Sequence, residues 1–276
     1  MIGTLFIVST PIGNLEDITL RALRVLKEAD IIAAEDTRHS LKLLTHYGIS
    51  KPMISYWRER EQTRAEELIG KLLQGKSVAL ISDAGTPGIA DPGTVLIRRA
   101  LQENINVVPI PGATAFVAAL SVSGISTEEV IFIGFLPSKK TQREKLLREL
   151  SLEKRTIVFY EAPHRIIETL SGMETLFIGR KAAVAKEITK MHEEVLRGSV
   201  SDILLRISEL KIAGEYVVVI EGRRDEAIYP IKEAVAEVIS LVKTGMGRKE
   251  AVRKISETYG LSKKELYDLS LAEEIA

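Results

Sequence analysis

Residues 77–93 read SVALISDAGTPGIADPG, an apolar run rich in β-branched residues that stops abruptly at Ser82 and Asp83. Three glycines and two prolines follow within the next ten residues. This pattern predicts a buried strand that runs into a loop. In an open α/β sheet, ligands bind beyond the carboxyl ends of the strands, where glycines let the backbone approach closely. An ordinary strand-to-helix connection has similar spacing, but a binding loop would comprise Asp83, Gly85, Thr86, Gly88, Asp91 and Gly93.

Two apolar strands are predicted upstream, at residues 5–8 and 31–34, with a helix between them. Each strand ends in a polar loop, and the second loop begins with Glu35, Asp36, Thr37 and Arg38. Charged side chains at the carboxyl end of a buried strand are candidates for catalysis or binding. Capping of the following helix explains the same acidic residues without any function.

Downstream, residues 105–110 form another predicted strand, and Pro111 and Gly112 turn the chain into a small-residue helix. Ala113 and Thr114 would place open backbone amides at the start of that helix, next to the central loop if the two strands are neighbours. Close packing of helix on sheet explains these small residues equally well. Two glycine-bearing loops at one edge of a sheet nevertheless favour a ligand more than either loop does alone.

Composition limits the function classes. The 276 residues are 45% apolar and 28% charged, which is typical of a soluble globular protein with room for roughly two domains. Basic and acidic residues are equal at 38 each, so a nucleic-acid site would have to come from local clustering. The absence of cysteine excludes disulfides and thiolate chemistry, and the spacing of the four histidines predicts no metal site. Without a leader or a long apolar run, we expect a cytoplasmic protein that does not associate with membranes.

Residues 70–77 match the phosphate-binding pattern G-x-x-x-x-G-K-[ST] letter for letter. The motif works only when a strand precedes the loop and a helix follows it, because the loop amides and the helix N-terminus must face the phosphates. Here the predicted order is inverted, with a helix first, Gly75 at its end and the strand afterwards. We therefore predict that this stretch is not a nucleoside triphosphate site.

A second α/β half is predicted from Val130 onwards. Its most basic stretch, residues 138–155, has seven basic and three acidic side chains, with Lys139, Lys140 and Arg143 placed to contact phosphates unless they form a solvated helix face. The next predicted strand delivers Glu161, His164 and Arg165 to a loop. A further strand then leads into a predicted polar crossover and a last strand.

The sequence pattern of residues 226–276 predicts three helices and no strand. Their order resembles a helix-turn-helix, yet the segment carries eight basic and nine acidic side chains. The sequence therefore leaves two interpretations open for this segment, an RNA-binding unit and a packing or dimer-forming appendix.

Several motifs, in order, carry a family resemblance: VSTPIGNLEDITLRAL, AAEDTR, SDAGTPGIADPG, PIPGATA, GFLP, FYEAPHR, KEITKMHEE and GEYVVVIEG. Over essentially the whole chain they closely resemble the ribosomal RNA small subunit methyltransferase I family, a branch of the tetrapyrrole methylase superfamily. The resemblance implies transfer of a methyl group from S-adenosylmethionine to the ribose 2′-hydroxyl of a cytidine in the decoding centre of 16S ribosomal RNA. The partner would be that RNA or the small ribosomal subunit.

The resemblance also implies a fold, which is two α/β domains with the donor in the cleft between them, plus a small C-terminal helical domain, commonly as a homodimer. The expected domains are residues 1–116, 117–225 and 226–276. Carried over by position, the donor would lie against Asp83, Ala84, Gly85, Ile89, Ala90, Gly112, Ala113 and Thr114, with Tyr160 and Glu161 closing from the second domain.

Methyl transfer from a sulfonium is an in-line displacement, so positioning supplies most of the catalysis and a base should accept the hydroxyl proton. The candidates for catalysis are Glu35, Asp36 and Glu161, and Arg38, His164 and Arg165 are placed to hold phosphate or polarise the hydroxyl. Two alternatives stay open. One is an enzyme of the same architecture that methylates a tetrapyrrole or a protein side chain, and the other is an RNA-binding protein without catalysis.

Overall fold

The computed structural model describes residues 1–210, 212–223, 231–259 and 261–275. The first half of the chain forms a parallel five-stranded sheet in the order β3-β2-β4-β1-β5. Its strands are β1 Thr4–Val8, β2 Ile31–Ala34, β3 Met53–Ser55, β4 Val78–Ile81 and β5 Asn106–Ile110. Because all five strands are parallel, the loops that follow them meet at one edge of the sheet.

Four helices cover both faces of this sheet. They are α1 Leu20–Glu28, α2 Thr37–His46, α3 Glu61–Leu73 and α4 Thr94–Gln102. Leu68 of α3 and Leu96 of α4 pack with Leu5 on one face, whereas Leu26 of α1 and Leu44 of α2 pack on the other. Burial on both faces explains why β2 and β4 are continuous apolar runs rather than alternating ones.

The second half forms a mixed sheet in the order β6-β7-β10-β8-β9, in which β6 pairs with β7 in parallel and the other neighbouring strands pair antiparallel. Its strands are β6 Val130–Phe135, β7 Thr156–Glu161, β8 Ala182–Lys186, β9 Glu194–Gly198 and β10 Tyr216–Ile220. Helix α5 (Ala115–Ser123) packs on one face. The other face is covered by α6 Lys140–Leu150, α7 Ile166–Met173 and α8 Val200–Ser208.

Three C-terminal helices have a hydrophobic core of their own. They are α9 Ile231–Lys243, α10 Arg248–Tyr259 and α11 Lys263–Ile275. Val238, Val252, Ile255 and Leu266 lie at the centre of this core. The predicted architecture, two α/β units followed by three helices, is confirmed. No helix in the described ranges is long and apolar enough to cross a membrane.

The domain boundaries stay predictions. The first, between residues 116 and 117, falls near the start of α5, which packs on the second sheet. The second, between 225 and 226, lies outside the described residues.

The prediction of a polar crossover after β8 is wrong. The chain turns back within a few residues, pairs β9 with β8 and then forms α8, which opens with a capping box between Ser199 and Asp202. Two residues of this turn, Glu187 (φ 50°) and Thr189 (φ 67°), adopt a left-handed backbone conformation. In hairpin turns that conformation is usually adopted by glycine or asparagine. The sequence therefore carries no ordinary hairpin signal here.

The Gly75 region is the end of a helix, as predicted. The Lys76 N–H donates to the Lys71 carbonyl (3.1 Å) and the Gly75 N–H to the Leu72 carbonyl (3.0 Å), with Gly75 at φ 90°. This is the Schellman arrangement that terminates a helix. The peptide groups of this stretch are used to close α3, which is incompatible with a loop that wraps phosphates.

Candidate active site

The loops that follow β1 and β4 are joined by backbone hydrogen bonds. The Thr10 N–H donates to the Gly85 carbonyl (2.8 Å), and the Gly85 N–H donates to the Thr10 carbonyl (3.1 Å). Gly85 has φ 82°, and a Cβ there would stand 3.5 Å from Ile12 Cγ2. Glycine is needed because the backbone turns left-handed at the point where the two loops touch.

Thr86 connects the central loop to the loop after β5. Its hydroxyl lies 2.8 Å from Ser9 Oγ and 3.0 Å from Thr114 Oγ1. β4 and β5 are not neighbours, because β1 lies between them. The two glycine-bearing loops nevertheless meet, since Thr86 bridges across the end of β1.

A cavity opens at this edge, between the first sheet and the second. Both halves of the chain line it. The lining residues are Ile12, Glu35, Asp83, Ala84, Gly85, Thr86, Ile89, Asp91, Thr114, Ala115, Phe135, Tyr160, Glu161, Ala185, Ile188, Glu215, Tyr216 and Val217.

Seven of the residues predicted to contact the donor line this cavity, namely Asp83, Ala84, Gly85, Ile89, Thr114, Tyr160 and Glu161. Three others do not. Ala90, at φ 66°, lies on an adjoining groove, where its carbonyl accepts from Arg58 (3.1 Å). Gly112 is packed so closely on Ser9 that a Cβ would stand 2.9 Å from Ser9 Cβ, and the Ala113 carbonyl lies 3.4 Å from the Thr86 hydroxyl.

The residues predicted to contact the donor do not include the wall of the cavity that the second sheet supplies. This wall comprises Ala185, Ile188, Glu215, Tyr216 and Val217. These residues belong to apolar strands or to a charged loop, and nothing in their local pattern distinguishes them from core. Their role depends on how the second sheet meets the first, which is a long-range feature. Thr86 and Asp91, by contrast, lie within the predicted central loop.

Glu35 is half-buried in the cavity wall. Its Oε2 accepts from the Asp83 N–H at 3.4 Å, and Asp83 Oδ1 accepts from the Asp36 N–H at 3.0 Å. Burial, helped by the nearby Asp91 carboxylate, raises the pKa of Glu35 to about 7. Burial likewise raises the pKa of Asp91 to about 6. Two carboxyl groups that titrate near neutrality in a cleft are typical of a catalytic site.

Asp36 has a different environment. Its Oδ1 accepts from the Arg38 N–H (2.8 Å) and so caps α2, and the two side chains form an ion pair of 3.1 Å. The hydrogen bond from Arg38 lowers the pKa of Asp36. A carboxylate with a lowered pKa is a weak base, so the structure favours the capping role for Asp36 over a catalytic one.

Glu161 is buried, and its carboxylate is fully engaged. Oε1 pairs with Arg165 (2.6 Å) and accepts from the Ala162 N–H (2.8 Å), while Oε2 accepts from the Thr169 hydroxyl (2.7 Å). Arg165 and Thr169 belong to the start of α7 and hold the carboxylate against that helix. These contacts of the Glu161 carboxylate join β7 to α7. They argue against the predicted catalytic role of Glu161.

Tyr160 belongs to a cluster of aromatic side chains at the cavity. Its ring meets Phe132 and Phe135 edge-on, at centroid distances of 5.0 Å and 5.4 Å. Its hydroxyl accepts from the Phe116 N–H at 3.3 Å, and burial raises the pKa of Tyr160 to about 12. Tyr160 therefore stays neutral and serves as a wall of the cavity.

The predicted RNA-contacting residues fall into two groups. Lys139, Lys140 and His164 are exposed, although Lys140 pairs with Glu168 at 3.3 Å. Arg143 is 3% exposed and donates to the carbonyls of residues 137 and 138 and to the Glu168 carboxylate. Arg143 therefore holds the loop before α6, contrary to the prediction that it contacts phosphate.

A second concavity, which we call the outer groove, adjoins the cavity and shares Glu35, Asp91 and Phe135 with it. Its other lining residues are Asp36, Thr37, Arg38, Ser55, Trp57, Arg58, Glu59 and Ala90. Among the described residues, no group of His, Cys, Asp or Glu has the geometry of a metal site. Glu35 and Asp91 thus stand at the junction of two connected spaces.

Known proteins resemble this chain in both sequence and fold. The profile of the family described as Tetrapyrrole (Corrin/Porphyrin) Methylases matches residues 4–204. The crystal structure of the methyltransferase CobJ superposes with a TM-score of 0.59 at 18% identity, covering 80% of this chain and 96% of that one.

Two relatives are similar over nearly their whole length. Ribosomal RNA small subunit methyltransferase I of Synechocystis sp. is 45% identical over 273 residues, which is 98% of each chain. The protein of the same name from Pasteurella multocida is 45% identical over 272 residues, covering 98% of this chain and 97% of its own. The chain therefore belongs to the ribosomal RNA small subunit methyltransferase I family of the tetrapyrrole methylases.

Proposed function

We propose that this protein methylates the ribose 2′-hydroxyl of a cytidine in the decoding centre of 16S ribosomal RNA, with S-adenosylmethionine as donor and Glu35 as general base. The observation that carries the proposal is the position of Glu35 between the cavity and the outer groove, with a pKa of about 7. A base with a pKa near the working pH is well matched to proton transfer from a hydroxyl.

The cavity residues fit the methyl donor. S-adenosylmethionine supplies an electrophilic methyl group on a sulfonium, together with an adenosine that needs apolar walls and partners for its ribose hydroxyls. Ile12, Ile188 and Val217 offer apolar walls, and Asp83 and Glu215 offer carboxylates. A cavity lined in this way also suits a cationic sulfur, because carboxylates stand nearby.

The residues of the outer groove would place the acceptor. In the proposed step, the 2′-oxygen forms a bond to the methyl carbon while the carbon–sulfur bond breaks, and its electron pair stays on sulfur. The 2′-hydroxyl proton passes to a Glu35 carboxylate oxygen. Glu35 is fixed by the Asp83 N–H, so the base needs little rearrangement during the reaction.

The RNA partner would be held by cations around the outer groove. Arg38 is a candidate for phosphate contacts because its side chain is 91% exposed. Lys139 and His164, which are exposed near the start of α6 and α7, are further candidates. Arg165 donates to Glu161 and to the Leu136 carbonyl, so we assign it to the second domain's interior rather than to RNA.

The family resemblance supports a proposal about the assembly and cellular setting. We propose a homodimer that acts in the cytoplasm, where small subunits are assembled. Exposed Val117 and Val122 on α5 are apolar surface that a second copy would cover. Light scattering of the purified protein tests the dimer, and a monomeric mass would contradict it.

Transfer of labelled methyl to three acceptors in parallel tests the function. The acceptors are small ribosomal subunits that lack the modification, naked 16S RNA and a tetrapyrrole precursor. We expect label in the RNA, mapped to a ribose 2′-oxygen. Label only in the tetrapyrrole would mean a different substrate on the same fold, and absence of donor binding would favour a non-catalytic RNA-binding protein.

A further inference from the structure

The outer groove carries two exposed aromatic rings that the proposed chemistry does not use. Trp57 is 40% exposed and Phe135 is 54% exposed. Trp57 follows β3 in the first half of the chain, and Phe135 ends β6 in the second. The groove is therefore bordered by one aromatic ring from each half.

The segment that leads to Trp57 is anchored to the first half of the chain. The preceding residue, Tyr56, is buried, and its hydroxyl accepts from the Leu96 N–H at 3.1 Å. The Tyr56 N–H donates to the Ala34 carbonyl at 2.7 Å. These two hydrogen bonds fix the backbone directly before Trp57 at the border of the groove.

Phe135 links the groove to the reacting groups. It borders both the groove and the cavity, and its ring contacts Tyr160 at 5.4 Å. Glu35 and Asp91 are shared by the same two spaces. A planar group held in the groove would thus have its attached sugar beside Glu35.

Arginine side chains lie at the groove and beside Trp57. Arg38 and Arg58 line the groove, and the Arg60 guanidinium lies 5.8 Å from the centroid of the Trp57 ring. Aromatic faces bordered by arginines are typical of surfaces that stack bases and hold the flanking phosphates. The groove also contains the Glu59 carboxylate, and carboxylates accept from the amino group of cytosine.

We propose that the outer groove is a nucleobase subsite, in which Trp57 and Phe135 stack on the target base after it has left the RNA stack. The inference rests on the proposed function, because it names how the same site positions its nucleotide. An enzyme that modifies one nucleotide within structured RNA must expose it, and stacking on aromatic side chains offsets the lost base stacking.

Kinetics with modification-free small subunits provide the first test. We expect Trp57→Ala to lower kcat/KM by roughly 5- to 150-fold, the range for loss of one base–aromatic stack. Trp57→Phe should retain most activity, because a phenyl ring also stacks. The affinity for S-adenosylmethionine should stay unchanged in both variants. The matched control is Leu101→Ala, which removes a side chain that is 60% exposed on α4.

Trp57 is the single tryptophan of the chain, so its fluorescence reports the subsite directly. We expect quenching by a short single-stranded RNA with a central cytidine and much weaker quenching by the same RNA with an abasic centre. Equal quenching by both RNAs, or full activity of Trp57→Ala, would overturn the subsite. Failure of the wild-type protein to methylate ribosomal RNA, with base-dependent quenching intact, would instead contradict the proposed function.

Discussion

Glu35 and Asp83 are joined across neighbouring strands, since the Glu35 carboxylate accepts from the Asp83 N–H at 3.4 Å. They follow β2 and β4, which pair in parallel with Ala34 beside Ile81. Asp83 in turn accepts from the Asp36 N–H at 3.0 Å. The two loops are therefore fixed to each other by reciprocal bonds, and the carboxyl group of Glu35 is positioned by the protein alone.

Glu35→Gln should abolish most turnover while donor binding is retained. Glutamine keeps an oxygen that accepts from Asp83, so the loops stay joined, but it has almost no basicity. We expect kcat to fall by about 100-fold or more, the usual contribution of a general base. Single-turnover methylation of small subunits measures the loss, and calorimetric titration with S-adenosylmethionine measures donor binding.

Asp36→Asn is the matched control for the general base. Asparagine caps a helix about as well as aspartate, so α2 should stay intact and activity should change little. A loss of turnover in Asp36→Asn equal to that in Glu35→Gln would transfer the base role to Asp36. Wild-type turnover in Glu35→Gln would remove the assignment altogether.

The pH dependence of kcat/KM should follow the Glu35 carboxyl group. A general base works when it is deprotonated, and the pKa of Glu35 is raised from 4.5 to about 7. We therefore expect kcat/KM to fall with slope one as the pH drops below about 7 and to level off above it. The measurement is the pH profile of kcat/KM with small subunits as substrate. If the acidic limb of this profile, where kcat/KM falls, lay near the ordinary pKa of glutamate, the prediction would be contradicted.

Asp91→Asn tests the cause of that limb. The Asp91 carboxylate is the second cause of the raised pKa of Glu35, after burial. Removing its charge should move the limb to lower pH without eliminating it. An unchanged limb would mean that burial alone sets the pKa.

The first sheet could be predicted from sequence because its signals are local. Buried strands such as β2 and β4 are short apolar runs that end at acidic residues, and their bounds agree with the structure. The hairpin after β8 lacks a local turn signal, because Glu187 and Thr189 adopt left-handed conformations that glycine and asparagine adopt more readily. Its position follows from pairing with β10 and from packing, which no local pattern encodes.

The candidate site divides in the same way. The glycines of the central loop predict its part in the site, whereas Val217 and Ile188 line the cavity only because the second sheet faces the first. Charge and position along the chain predict a catalytic role for Glu161 and a phosphate contact for Arg143. Their burial against α7 and the α6 loop depends on tertiary packing, which periodicity alone does not specify.

Glu161→Gln should act on stability rather than on chemistry. The Glu161 side chain is fully buried, and its loss of charge would leave Arg165, 12% exposed, without its ionic partner. Breaking a buried pair from one side costs on the order of 3 kcal/mol. Urea unfolding should show this loss, while kcat at a temperature where the variant is folded stays close to that of the wild type.

Glu28→Gln is the control for that measurement. Its partner Arg24 is exposed, and the pair lies on the surface of α1 at 2.9 Å. Loss of a surface pair costs less than about 1 kcal/mol. If Glu161→Gln is as stable as Glu28→Gln but catalytically dead, Glu161 belongs to the chemistry after all.

Lys139 and Arg143, although close in sequence, should give opposite results. Lys139 is exposed at the start of α6, so Lys139→Ala should reduce the salt dependence of RNA binding by about one unit of slope and leave stability unchanged. Arg143→Lys keeps the charge but loses the fork that reaches two carbonyls and Glu168. It should therefore unfold at lower urea with an unchanged salt slope. Arg143→Gln, which removes the charge, should also leave the salt slope unchanged, and a lower slope in that variant would show that Arg143 contacts phosphate despite its burial.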